Sequence, residues 1–87
     1  MEFNKSNIYT MVNADKIAVG TKGYYANDLV LLGIRVERGN EKGYGTITEI
    51  RSENWPDRFR TDKNENAILF YPIEEPKEKV LSLWRHI

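Results

Sequence analysis

Catalysis by a side-chain nucleophile needs a nucleophile, a base and a group that orients the base. The chain contains no cysteine, and its only histidine is His86, the penultimate residue. Its His, Asp and Glu residues do not stand at the spacings typical of metal ligands. We therefore expect that the protein is not an enzyme and that it has neither a cofactor nor a metal site. We interpret His86 as a solvated residue at a helix end.

Two other patterns could support chemistry, but each has a simpler structural interpretation. The segment GYGTIT resembles a phosphate loop in its glycines but lacks the lysine, and its surroundings favour the start of a strand. Glu74 and Glu75 are adjacent carboxylates, which could act in acid–base chemistry. Two glutamates at this position are more typical of residues that stabilise a helix N-terminus.

Residues suited to binding are concentrated in the segment SENWPDRFRTD. Trp and Arg, together with Tyr, are the residue types enriched at the hot spots of protein interfaces. Pro56 fixes its own φ and biases Trp55 toward an extended backbone, which would present the indole at little ordering cost. Arg58 and Arg60 alternate with Phe59, so an extended segment would place both arginines on one face and Phe59 in the core.

We expect a partner-binding site made of these loop residues and one strand tyrosine, namely Trp55, Asp57, Arg58, Arg60 and Tyr44. A structural alternative stays open for each of them. In that alternative Trp55 folds back onto a small core, the arginines pair with nearby carboxylates, and the tyrosine packs on the sheet.

Composition indicates one small domain. The chain has 87 residues, with thirteen Lys and Arg against thirteen Asp and Glu. This balance argues against a simple duplex-DNA binder, which usually has a basic surplus, and equally against an acidic DNA mimic. The N-terminus lacks the apolar region of a secretory signal, and no apolar run approaches the ~20 residues of a membrane span. We therefore expect a soluble protein of the cytoplasm.

The segment NDLVLLGIRVERGN predicts a helix over residues 27–38, although its β-branched residues also suit a strand. Leu29, Leu32 and Val36 share one face at helical spacing. Asn27 is a good N-cap, and the glycine and asparagine that follow the helix are typical of a C-cap.

Strands are predicted on both sides of this helix. Ile17–Val19 suits a short half-buried strand, and residues 43–50 alternate as a longer one. Residues 59–61 are predicted to form a short edge strand. The apolar run at residues 66–73 is the best candidate for the central strand, with Pro72 at its edge or end because proline cannot donate to the ladder.

The last segment, EEPKEKVLSLWRHI, predicts an amphipathic helix that must pack on something, because so short a helix is marginal alone. Its apolar stripe is Val80, Leu83, Trp84 and Ile87. The predicted fold is α+β: a small curled antiparallel β-sheet with a central short helix and this C-terminal helix, in one domain over residues 1–87. Residues 1–14 are expected to form an irregular arm or a first irregular strand.

The chain resembles a group of short proteins of phages and prophages of Gram-positive bacteria in four blocks, VNADKIAVGTKGYYANDL, YGTITEIRSE, RF and LFYPIEEPKEK. The resemblance covers roughly residues 12–79. It departs at VLLGIRVERG, where a more polar helix would be expected. The resemblance supplies no catalytic residue.

Small accessory phage proteins often act by stoichiometric binding to a host defence component, and anti-CRISPR proteins are the best-known class. By this analogy the chain would inhibit a host defence protein, with a CRISPR effector nuclease as leading candidate, by occluding a protein surface in the bacterial cytoplasm. One alternative is a nucleic-acid-binding module that stacks single-stranded bases. Another is a sponge for a nucleotide signal, whose phosphates Arg58 and Arg60 would hold. We expect a monomer or a weak homodimer.

Overall fold

A computed structural model of the chain describes residues 2–74, which form one antiparallel sheet and one α-helix. The strands are β1 (Lys22–Ala26), β2 (Tyr44–Ile50), β3 (Phe59–Thr61), β4 (Asn66–Ala67) and β5 (Leu69–Glu74), and the helix is α1 (Leu29–Arg38). Their order in the sheet is β4-β3-β2-β1-β5. The predicted α+β class is thus confirmed, while the predicted C-terminal helix lies outside the described residues.

Local signals at both ends define α1, as the sequence predicts. The N-cap is Asp28 and not Asn27: the Asp28 carboxylate accepts a hydrogen bond of 2.7 Å from the backbone N–H of Leu31. At the other end Gly39 adopts a left-handed conformation with φ of 60°, and its N–H donates to the carbonyl oxygen of Arg35.

The helix packs on one face of the sheet, which we call the helix face. Leu32 and Val36 of α1 are fully buried there against Tyr24 and Tyr71. Leu29 was expected beside them but is exposed, because it is the first residue of the helix and precedes the turn that packs on the sheet.

The opposite face of the sheet buries a second core, which includes Tyr25, Phe59 and Phe70. Side chains alternate along a strand, so the consecutive tyrosines of β1 contribute to different cores. The predicted core position of Phe59 is confirmed. The chain before β1 covers part of this second face and forms one bridge to β5, in which Tyr9 and Phe70 exchange backbone hydrogen bonds of 2.8 and 3.0 Å.

The strand predicted at Ile17–Val19 is wrong. Ala14–Lys16 forms a 3₁₀ helix, and the extended backbone begins only at Lys22. Gly20 lies between them with φ of 98°, a conformation that turns the chain and that β-branched residues avoid. Two alternating apolar residues beside a glycine were too short a pattern to specify a strand.

The predicted positions of two strands in the sheet are also wrong. The strand β3 was expected at an edge but lies between β2 and β4. The single central strand predicted over residues 66–73 is divided: its first two residues form β4 and its end belongs to β5, and these two strands are the opposite edges of the sheet. The longer of the two is β5. Its apolar run has another cause: Phe70 and Tyr71 are buried in the cores on opposite faces of the sheet. Pro72 therefore lies on an edge strand, as expected of a residue without an N–H.

A bulge in β2 places Ile47 and Ile50 on the same face of the sheet. Strict alternation would place Ile50 on the face opposite to Ile47, but the pairing of β2 with β3 shifts register between Ile47 and Glu49. Both isoleucines consequently pack in the same core. The bulge lies immediately before the loop that carries Trp55.

Candidate functional site

Residues 51–58 connect β2 to β3 and carry Trp55; we call them the Trp55 loop. Its neck is closed by a hydrogen bond of 3.2 Å from the N–H of Arg51 to the carbonyl oxygen of Arg58. Inside the neck are two turns, in which the Trp55 N–H donates to the Ser52 carbonyl (3.1 Å) and the Arg58 N–H donates to the Trp55 carbonyl (3.2 Å). These bonds hold the backbone around the indole in one conformation.

Arg51 ties the Trp55 loop to the N-terminal segment. Its Nη2 donates a hydrogen bond of 2.6 Å to the carbonyl oxygen of Met11. Arg51 also has a φ of 55°, which costs a residue with a side chain about 1–2 kcal/mol and is kept only where the surroundings enforce it. Here the neck bond and the bond to Met11 enforce it, so the start of the loop is held from two directions.

Trp55 lies outside both cores. The residue is 45% exposed, and neither buried cluster includes it. The guanidinium carbon of Arg58 lies 5.7 Å from the centre of the Trp55 ring, within the range of a cation–π contact. The indole is therefore held by a neighbouring cation at the surface of the protein.

Asp57 makes a weaker contact with the same arginine. Its Oδ1 lies 3.8 Å from the Nε of Arg58, which is an ion pair but too long for a hydrogen bond. The Nε is buried and has no hydrogen-bond acceptor, while the Asp57 side chain is largely exposed. The carboxylate is thus open to a donor from outside the chain.

The other two expected site residues are not part of the Trp55 loop. Arg60 lies on β3 and forms a half-exposed ion pair of 3.6 Å with Glu49, across the bulge in β2. Tyr44 lies at the far end of β2, about 20 Å from the loop at ~3.3 Å per residue. Its ring packs edge-on against Tyr24 with 5.0 Å between centroids, on the helix face.

In the nucleotide-sponge hypothesis Arg58 and Arg60 hold the phosphates. Their guanidinium groups have different neighbours, the Trp55 ring for one and the Glu49 carboxylate for the other. The three expected site residues that lie together are Trp55, Asp57 and Arg58.

Sequence reasoning missed a small cavity beside α1. It has a volume of about 180 Å³ and lies between the helix and the β3–β4 connection. Arg35 lies on one side, where its Nη1 donates a hydrogen bond of 2.6 Å to the Tyr25 carbonyl oxygen. The sequence signal related to this cavity is Gly43, which lines it. A side chain at this position would overlap Arg35, since a Cβ would lie 2.5 Å from that residue. This volume is below the ~300–1,000 Å³ usual for ligand pockets.

Burial raises the pKa of the Tyr25 hydroxyl above its ordinary value of about 10, although a hydrogen bond to Thr61 opposes the effect. Glu65 and Asp62 add to the rise, and Arg35 acts against it. A tyrosine with a raised pKa stays neutral at physiological pH, so these contacts stabilise the core and supply no reactive phenolate.

Within residues 2–74 there is no group of three His, Cys, Asp or Glu side chains that could hold a metal ion. The same residues form no helix with the length and apolar character needed to cross a bilayer. Comparison of the chain with protein-family models, with curated proteins and with solved structures gave no match.

Proposed function

We propose that this protein acts by stoichiometric binding of another protein through the Trp55 loop. The observation that carries the proposal is the exposed Trp55, in cation–π contact with Arg58 on a hydrogen-bonded loop. Tryptophan and arginine dominate the hot spots of protein interfaces. An exposed indole that lies outside the cores contributes little to folding, so binding is the function that best accounts for its position.

Preorganisation of the loop supports this proposal energetically. Association usually costs about 0.5–1.5 kcal/mol for each flexible side chain that it immobilises. The backbone of the Trp55 loop is already closed by three hydrogen bonds, and the Arg58 side chain already lies over the indole. Little conformational entropy would remain to be lost when a partner binds.

The partner surface should match the chemistry of the loop. We infer an apolar pocket that receives the indole edge, with a lysine or arginine at its rim facing the exposed carboxylate of Asp57. The equal numbers of acidic and basic residues favour occlusion of a protein surface over mimicry of a nucleic-acid backbone.

The class of partner is inferred from the resemblance to short phage and prophage proteins. On that basis the partner is a bacterial defence protein, with a CRISPR effector nuclease as leading candidate, and the protein is a phage-encoded inhibitor that acts in the host cytoplasm. Nucleic-acid binding is the second candidate, because an exposed indole can also stack on a base. The carboxylate of Asp57 beside the indole disfavours it, since it would repel phosphates.

The test is recovery of a partner from a lysate of a Gram-positive host carrying a CRISPR system. Tagged wild-type protein should retain the effector nuclease, and Trp55→Ala should lose it. Val19→Ala is the matched control, because Val19 is an exposed apolar residue in a turn outside the loop. Equal recovery with wild type and Trp55→Ala, or unimpaired restriction in cells that express the protein, would argue against the proposal. Binding of oligonucleotides that weakens steeply with salt would favour the second candidate.

A further inference from the structure

Side chains of opposite charge line the cavity beside α1. Arg35 belongs to the helix and Lys42 precedes β2, whereas Glu65 belongs to the β3–β4 connection. Among residues 2–74 no ion pair joins Glu65 to Arg35 or Lys42. The cavity thus separates a carboxylate from two cations, and a ligand between them could contact both.

Asn66 supplies a second acceptor next to Glu65. It also lines the cavity, and its Oδ1 is buried without a hydrogen-bond donor among the described residues. A buried amide oxygen without a donor is costly, and folded proteins usually satisfy such an atom. A ligand ammonium group would donate to this oxygen and to the Glu65 carboxylate at the same time.

Arg35 is held in place on the other side of the cavity. Its Nη1 donates to the Tyr25 carbonyl oxygen at 2.6 Å, and its side chain crosses Gly43 so closely that a Cβ there would overlap it. The bond to Tyr25 uses one of the five N–H donors of the guanidinium, which leaves others for a carboxylate. Lys42 adds a second positive charge to this side.

The volume of the cavity restricts the ligand to a small molecule. About 180 Å³ slightly exceeds the ~150 Å³ of a cavity that can hold benzene. The apolar part of the lining consists of Ala26, Leu31 and Ala67. These side chains would contact a short uncharged group and leave no polar partner for a second charged one.

We propose that this cavity binds a small α-amino acid with a short uncharged side chain, such as alanine or serine. The ligand carboxylate contacts Arg35 and Lys42, and its ammonium group contacts Glu65 and the Oδ1 of Asn66. A simple anion would leave the two acceptors without a donor, and a simple cation would leave Arg35 and Lys42 without an acceptor. A zwitterion satisfies both ends of the cavity.

The proposed amino-acid site is independent of the Trp55 loop. Lys42 and Gly43 lie at the start of β2, whereas the loop follows its end. The site can therefore be tested without a protein partner, and failure of either proposal leaves the other unaffected.

Titration of the ¹⁵N-labelled full chain with L-alanine and L-serine, followed by NMR, tests the proposal. The amide signals of Gly43 and Asn66 should shift saturably with a Kd of about 1 mM or tighter, while that of Trp55 stays in place. Lactate replaces the ammonium group of alanine by a hydroxyl, and alaninamide replaces its carboxylate by an amide. Both analogues should bind at least about tenfold more weakly than alanine.

A charge-neutral variant assigns the two ends of the ligand. Glu65→Gln should weaken alanine binding at least about tenfold without weakening that of lactate. Asp15→Asn is the matched control, because Asp15 is an exposed carboxylate that does not line the cavity. Glu65 is exposed too, so both variants should melt at the wild-type temperature.

Three results would overturn the proposal. One is the absence of a saturable shift with alanine and serine up to ~10 mM, ten times the expected Kd. Another is an analogue that binds as tightly as alanine, since equal binding of lactate would indicate a site for anions alone and equal binding of alaninamide a site for cations alone. The third is a Glu65→Gln protein that binds alanine like wild type.

Discussion

The guanidinium carbon of Arg58 lies over the ring of Trp55, 5.7 Å from the ring centre, and the two residues are three positions apart in the same loop. The contact lies at the surface and outside both cores of the sheet. The turn between the two residues is closed by a hydrogen bond from the Arg58 N–H to the Trp55 carbonyl. Trp55 and Arg58 are therefore held next to each other by the backbone as well as by their side chains. The indole is consequently ordered by a cation at the surface.

Replacing Trp55 by alanine should separate binding from folding. We expect a melting temperature close to that of wild type, because the residue is 45% exposed and lies outside the cores. Affinity for the partner should fall by about 2 kcal/mol or more, the usual threshold of a hot spot. Calorimetric titration and thermal unfolding measure the two effects. A loss of about 3–5 kcal/mol of stability, as for a core tryptophan, would contradict the prediction.

Replacing Arg58 by alanine should release the indole. In a Trp84→Phe background Trp55 is the only tryptophan, so its fluorescence reports on the loop alone. We expect lower fluorescence anisotropy and faster quenching by acrylamide, with a stability change of about 1 kcal/mol or less. Arg60→Ala is the matched control, because Arg60 contacts Glu49 on the sheet and not the indole. An identical response of the two variants would show that the stack does not order Trp55.

Replacing Gly23 by alanine should disrupt the pairing of β1 with β5. A Cβ at this position would overlap the carbonyl oxygen of Tyr71 and lie 2.8 Å from the Cα of Pro72, both of which belong to the backbone of β5. We expect a loss of about 3 kcal/mol or more, at the upper end of the cost of overpacking. Urea denaturation measures it as a shift of the midpoint.

Gly33→Ala is the control for that experiment. Gly33 lies inside α1, and the three atoms nearest to a Cβ there all belong to the ring of Phe3, the closest at 3.3 Å. Alanine gains about 1 kcal/mol over glycine in a helix, which offsets a small movement of the Phe3 ring, so stability should change by less than about 1 kcal/mol. Comparable losses in both variants would show that the close approach of β5 is not the cause.

Tyr25 should make the protein less stable in alkali. Burial raises the pKa of its hydroxyl in the folded state above the ordinary value of about 10 found in the unfolded chain. The neutral hydroxyl is thus favoured by folding, and its contribution is complete below the unfolded pKa and is lost as pH rises through the folded pKa. Between pH 8 and pH 11 (roughly from below to above the ordinary tyrosine pKa), the melting temperature of wild type should fall more than that of Tyr25→Phe. Parallel curves for the two proteins would contradict the assignment.

Local signals explain why α1 could be predicted from the sequence. Its cap residues and the spacing of Leu32 and Val36 lie within a dozen residues of each other, so the pattern is complete in one window. The location of the edges of the sheet was not predictable in this way. The apolar run of β5 reports that both of its faces are covered, and it contains no information about the number of neighbouring strands.

The part of the candidate site that lies in one loop could be predicted, because its signals are also local in the sequence. Trp55, Asp57 and Arg58 lie within four residues, and the turns that gather them are local. Tyr44 was included because of its residue type alone, and its distance from the loop depends on the length of β2. The bulge between Ile47 and Glu49 could not be predicted either, because it depends on the register with β3.

The bridge between Tyr9 and Phe70 also bears on aggregation. Along β5 every second residue directs its N–H and C=O away from β1. The outward groups of Phe70 are occupied by Tyr9, and the next outward position is Pro72, which has no N–H. This edge is therefore a poor template for a strand of another molecule, which is how exposed sheet edges start aggregates. A protein that acts by stoichiometric binding, as proposed here, would have to accumulate to the concentration of its target, and a blocked sheet edge would oppose fibre formation at that concentration.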